Sequence, residues 1–175
     1  MTTPKKSESP TGTATMDAIS LLKSDHQKVL ALFDSFEEIK DDGPVEERRA
    51  IVEQICSELT VHTAIEEKVF YPAAREAIDD DDIMDEAKVE HAGAKALIRQ
   101  LQGMEPDDDL YNAKVKVLSE YIRHHVKEEQ GEMFPKVKKT DLDLDALGER
   151  MKEMKDRLTE EEPSSRGAAM PKTKK

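Results

Sequence analysis

Residues 62–72 read HTAIEEKVFYP, and residues 125–135 read HVKEEQGEMFP. In each stretch a glutamate stands four residues after a histidine, Glu66 after His62 and Glu129 after His125. In each, a proline (Pro72 or Pro135) comes ten residues after the histidine and six after the glutamate. A spacing of four places two side chains one turn apart on the same helix face. The apolar residues leading in keep that period: Ile51, Ile55 and Leu59 before His62, and Tyr111, Val115, Leu118 and Ile122 before His125. Both stretches are predicted as helices whose buried face carries an imidazole and a carboxylate. The matched endings mark them as related halves of an all-helical domain.

Two more helices complete the pattern. Asp17 is a helix cap, followed by Ile19, Leu22, His26, Val29, Leu30 and Phe33; this helix is predicted to reach about Ile39 and stop in the turn KDDGP at 40–44. The second starts near Val45, kinks at Pro72 and continues to about Ile78. The third follows the turn Asp79 to Asp82 with Met84, Ala87, His91, Ala94, Ile98 and Leu101, and ends at Gly103 and Pro106. The fourth runs from Asp108 or Asp109 to about Lys138. Long helices joined by short turns favour an antiparallel up-down four-helix bundle, here residues 16–140. Residues 141–159 form a further, shorter amphipathic helix, with Leu144, Leu147, Met151, Met154 and Leu158 suited to a groove of the bundle or to a partner. Residues 1–15 and 160–175, rich in Ser, Thr, Pro and Lys, are expected to be disordered tails.

Composition narrows the function. The 175 residues suit a single domain. Thirty-nine acidic against 27 basic residues give a formal charge of -12, which repels nucleic-acid phosphates and anionic lipid, so neither nucleic acid nor membrane is an expected partner. No apolar run approaches the roughly 20 residues that span a bilayer. Met1 to Gly12 lacks the apolar segment of a secretory signal, and a cytoplasmic location is expected. The lone Cys56 excludes an internal disulfide framework and reads as an inert thiol. A monomer or weak oligomer is expected.

The histidines carry the chemistry. His26, His62, His91 and His125 each fall in the apolar stripe of a different helix. At roughly 1.5 Å per residue, antiparallel neighbours bring them to similar depth. Four imidazoles inside one core need many hydrogen-bond partners or a cation. Imidazole with carboxylate suits iron, manganese or zinc rather than calcium. His124 and His125 lie about 100° apart around the helix; His125 has the stripe position, which leaves His124 exposed or hydrogen-bonded to a ligand. Glu67, Glu90 and Glu128 are further candidates for an outer or alternative ligand role.

The ordered set LLKSDH (21–26), HTAIEE (62–67), Glu90-His91 and HHVKEE (124–129), with the two Phe/Tyr-Pro endings, resembles the hemerythrin-type HHE cation-binding domain over about residues 17–138. That resemblance implies a non-haem centre of two iron ions, oxo- or hydroxo-bridged, within the bundle. It implies Glu66 and Glu129 as bridging carboxylates and His26, His62, His91 and His125 as terminal ligands. Manganese is tolerated by the same ligand set. Oxygen-carrying members have a second histidine four residues after that of the third helix, where this chain has Lys95. Their fourth-helix pair is His-x4-Asp, a spacing that His124 with Glu129 would restore, so the choice between His124 and His125 stays open. A nearby carboxylate, Tyr121 one turn before His125, or water would fill the missing position.

One histidine fewer moves the expectation away from oxygen storage. The leading reading is a di-iron protein that binds or reacts with peroxide, dioxygen or nitric oxide, with peroxide disproportionation in oxidative-stress defence as its concrete form. The alternatives are an iron or oxygen sensor without turnover, read out through residues 141–158, and a purely structural helical bundle.

Overall fold

The computed structural model describes residues 16–161, and every regular element among them is helical. In order these are α1 (Ala18–Ile39), α2 (Val45–Ile65), a π-turn (Glu66–Phe70), α3 (Tyr71–Ala77), α4 (Asp81–Gln102), α5 (Tyr111–Glu128), a second π-turn (Glu129–Met133), α6 (Phe134–Val137) and α7 (Leu144–Glu161). The Asp17 carboxylate accepts from the Ser20 N–H at 3.0 Å and caps α1, and Asp80 caps α4 through the Ile83 N–H at 3.3 Å. α5 begins at Tyr111 rather than at Asp108 or Asp109, because Leu110 takes a left-handed φ of 70° through which a helix cannot run.

The prolines are accommodated by widening the helix. The Tyr71 N–H donates to the Glu66 carbonyl, five residues back, and the Phe134 N–H donates to that of Glu129. A proline offers no N–H and its ring crowds the carbonyl four residues back. A π-turn immediately ahead of it relieves the crowding, so the helix passes through. The expected kink at Pro72 is therefore an inserted wide turn, and it starts at Glu66. Pro135 repeats the arrangement after Glu129.

α1 packs on α2, α4 on α5, α2 on α4 and α1 on α5, which closes a ring of four helices. Their interior holds two apolar clusters. Phe33, Ile55, Leu59, Leu118 and Ile122 belong to one, and Leu22, Ile65, Phe70, Met133 and Phe134 to the other. The stripe histidines fall between them, so a polar layer crosses the core.

α7 lies against α1, α2 and the first π-turn. Leu147 and Met151 are buried in the second apolar cluster, each contributing roughly 1.5–3 kcal/mol. Gly148 permits this approach: a Cβ there would stand 2.4 Å from the Met16 carbonyl oxygen. At the far end, Arg48 donates to the Gly43 and Pro106 carbonyls at 3.2 and 3.1 Å and pairs with Asp107 at 2.7 Å, tying two turns together. Among the described residues no helix is long and apolar enough to cross a membrane. Of the tails expected at 1–15 and 160–175, residues 1–15 and 162–175 lie outside the described residues, whereas residues 160–161 belong to the end of α7.

Candidate metal centre

Six side chains meet in the polar layer: His26 from α1, His62 from α2, Glu66 from the first π-turn, His91 from α4, His125 from α5 and Glu129 from the second π-turn. None is more than 6% exposed. Their donor atoms fall into two groups, His26–His62–Glu66–Glu129 and Glu66–His91–His125, with Glu66 common to both. His26 Nε2 is 3.2 Å from His62 Nε2 and from Glu129 Oε2. Glu66 Oε2 is 3.2 Å from His62 Nε2 and from His91 Nε2. His91 Nε2 and His125 Nε2 are 3.2 Å apart, and Glu129 Oε2 is 3.5 Å from His125 Nε2.

These spacings fit a cation. Donors about 2.1 Å from a first-row metal ion, at tetrahedral or octahedral angles, stand about 3.0–3.4 Å from one another. Two carboxylate oxygens in the layer, Glu66 Oε1 and Glu129 Oε2, are buried without a hydrogen-bond partner among the described residues. A buried carboxylate oxygen with no donor is costly, and a metal ion supplies what it lacks.

Around the six runs a second ring, and its order follows the sequence. Each helix carries a polar doublet: Asp25-His26, Glu66-Glu67, Glu90-His91 and Glu129-Gln130. One member points inward, and the other serves an imidazole of a different helix. Asp25 Oδ2 faces His62 Nδ1 at 3.6 Å, Glu67 Oε1 is 3.0 Å from His91 Nδ1, Glu90 Oε2 is 2.8 Å from His125 Nδ1, and the Gln130 amide is 3.0 Å from His26 Nδ1. All four rings thus turn Nε2 inward and Nδ1 outward. Such outer partners fix the ring plane and the tautomer of a metal-binding imidazole. Lys95, at the position where an oxygen carrier would have a histidine, instead pairs with Glu67 at 2.5 and 2.6 Å.

The concentration of charge is large for a protein interior. Burial alone would push His62 down, but Glu66, Asp25 and Glu129 outweigh it and hold the imidazole up to about 10. Burial is likewise overcome at His125 by Glu129, Glu90 and Glu66, which hold it up to about 9. Glu66 is fully buried, yet His62 and His91 keep its carboxyl well below the usual carboxylate range. Burial raises the Cys56 thiol to about 12, which makes it inert.

Tyr71 was not among the residues expected from sequence. Its hydroxyl lies 2.8 Å from Glu129 Oε1 and 3.1 Å from His91 Nε2. Burial, followed by Glu129 and Glu66, raises its phenol well above the ordinary value. Phe134 occupies the matching place in the other half and stacks on His26, with ring centroids 6.0 Å apart. The aromatic residue ahead of the proline therefore carries a hydroxyl in one half and none in the other. Tyr71 also borders an open cleft of about 760 Å³, whose walls include Lys88, Lys95, Met84 and Ala92.

Tyr121 is a correction. It is 44% exposed and lies over Gly93 of α4, with its ring atoms 3.8 Å from a Cβ built there. Ile122, the next residue, takes the interior position on that turn. His124 also stays outside the layer, its side chain 58% exposed, and meets Glu128 at 3.1 Å and Glu90 at 3.5 Å. Glu67 and Glu90 are outer partners, and Glu128 is half-buried outside the layer beside His124.

The hemerythrin HHE cation-binding domain model matches residues 17–137 of this chain. Among solved structures, the crystal structure of a hemerythrin HHE cation binding domain-containing protein from Mycobacterium kansasii superposes with a TM-score of 0.67 and 26% identity, covering 82% of this chain and 87% of that one. A comparison with curated proteins finds no match.

Proposed function

This chain belongs to the hemerythrin HHE cation-binding domain family, and on that footing we propose that it holds two iron ions and reacts with a small oxidant, most concretely by disproportionating hydrogen peroxide. The observation that carries the reading is Glu66: one buried carboxylate is shared by two groups of donors, each with two imidazoles. A lone cation would need only one of those groups.

Two iron ions at these groups would supply the two-electron change that turns two peroxides into one dioxygen and two waters, with no external reductant. The protein's own residues set the conditions. His26 and His62 serve one group, His91 and His125 the other; Glu66 is common to both, and Glu129, in the first, comes within 3.5 Å of His125. Phe134, stacked on His26, and the fully buried Phe70 packed on Phe134 give that side of the layer an apolar wall that keeps bulk water out. The Tyr71 hydroxyl stands beside the His91 side of the layer and borders the cleft, where it can hold a proton against Glu129.

The test is to load the full-length protein with iron, count ions per chain, and follow dioxygen release from hydrogen peroxide. Two ions per chain with sustained release support the reading. One ion per chain contradicts the shared-carboxylate geometry. Two ions without turnover favour the sensor reading, for which the contact between α7 and Asp25 is the supporting observation.

A further inference from the structure

We propose that Lys155, on α7 and outside the residues matched by the family model, positions the His62 imidazole by acting through Asp25; this rests on the metal-centre reading above. Lys155 Nζ is ion-paired with Asp25 Oδ1. The other oxygen of that carboxylate, Oδ2, faces His62 Nδ1 at 3.6 Å. Both facing atoms are buried and have no hydrogen-bond partner among the described residues. Asp25 thus stands between a lysine and a metal-binding ring, with no other side-chain partner among the described residues.

The same order of groups recurs elsewhere in the layer. Lys95 pairs with Glu67, and Glu67 meets His91 Nδ1 at 3.0 Å. Each lysine holds the carboxylate that holds a ligand imidazole. The difference is where the lysine comes from. Lys95 is part of the four-helix ring, whereas Lys155 arrives on a helix laid across its outside.

The chemistry requires such a group. An imidazole that binds metal through Nε2 carries its proton on Nδ1 and needs an acceptor there. Asp25 Oδ2 is the carboxylate oxygen placed opposite that atom, and its side chain is only 10% exposed. A carboxylate so far removed from water is retained only with a counter-charge. Lys155 supplies it from a fixed support: Leu147 and Met151 are buried in the core, and Met154 and Leu158, flanking Lys155, are packed against the same cluster. The effect is confined to one donor group. His91 and His125 keep their own partners, Glu67 and Glu90. Metal binding at His26 and His62 and the seating of α7 therefore reinforce each other, because linkage between two such equilibria is reciprocal.

The test uses the full-length protein and Lys155→Met. Loaded with iron and challenged with a chelator, the variant gives up one of its two ions at about 10–100-fold lower chelator concentration, the usual effect of removing an outer partner. Lys155→Arg restores most of that resistance. In an Asp25→Asn background, Lys155→Met causes no further loss. Chelator resistance equal to wild type, or losses that add in the double variant, overturns the proposal. A second readout does not depend on metal. In ¹H–¹⁵N spectra of the metal-free protein, the His62 Nδ1 proton is protected in wild type and exchanges faster in Lys155→Met. An unchanged His62 signal overturns the proposal, whereas wild-type protein that holds no metal counts against the proposed function and leaves this signal to decide on Lys155.

Discussion

Titrating the metal-free protein with ferrous iron under anaerobic conditions should release protons, because the metal takes positions that protons hold in its absence. His62 is held up to about 10 and His125 up to about 9, so both imidazoles are cationic at pH 7. Ligation through Nε2 needs each of them neutral. Filling both donor groups therefore expels about two protons per chain at neutral pH. The apparent affinity for the pair of ions should rise about a hundredfold per pH unit up to about pH 9, tenfold for each proton displaced. Between about 9 and 10 only His62 still titrates, and the slope falls to about tenfold. At pH 7 the displaced protons weaken binding by about three powers of ten at His62 and about two at His125, or ~7 kcal/mol together at ~1.4 kcal/mol per unit. Calorimetric titrations in buffers of different ionisation enthalpy count these protons directly. Release near zero at pH 7, with an affinity independent of pH, would refute the reasoning, since the ions would then be binding away from His62 and His125.

The same groups set the stability of the metal-free protein. His62 and His125 are raised in the folded state, so their contribution is fully present below their ordinary value of 6.5 and is lost as pH rises through about 9 to 10. Glu66 is depressed, so its contribution is present above 4.5 and lost as pH falls below that. Melting temperature should peak between those limits and decline toward pH 10; a flat profile from pH 6 to 10 contradicts this. Glu66→Ala should remove both ions, and one ion retained at full occupancy would contradict a shared carboxylate. His124→Ala should leave the metal content unchanged, and an ion-free variant would move the α5 ligand from His125 to His124. Tyr71→Phe deletes the hydroxyl beside Glu129 and should lower metal-free stability by about 1–3 kcal/mol, with iron content retained and peroxide turnover altered; loss of an ion would instead make the phenol a ligand.

Much of the fold was legible because a helical period is written directly in the spacing of apolar residues. The stripes through His26, His62, His91 and His125 identify four buried faces, and the short turns leave few ways to connect them. The inner donors share those stripes and so were visible with them. Tyr71 was hidden by the π-turn. In a regular helix a residue five positions after Glu66 points well away from it, and only the inserted wide turn brings Tyr71 back to the same face. The signal lay in Pro72 and Pro135, each six residues beyond a buried glutamate, which require the helix to widen or end. Asp25 and Gln130 were overlooked for a different reason: each serves a helix other than its own, and no local period encodes that. Their adjacency to His26 and Glu129 was the available cue. The Lys155 contact spans 130 positions and depends on the seating of α7, which the stripe suggests but does not orient. Tyr121 failed because being one turn from His125 fixes a face only to within tens of degrees, and Ile122 takes the inward place.

The most direct test of the central claim is a crystal structure of iron-loaded protein with anomalous scattering recorded at the iron edge. The account predicts two peaks per chain about 3.5–4 Å apart, with Glu66 between them, His26 and His62 on one, and His91 and His125 on the other. A single peak, or a peak seated on His124 and Glu128, would contradict it.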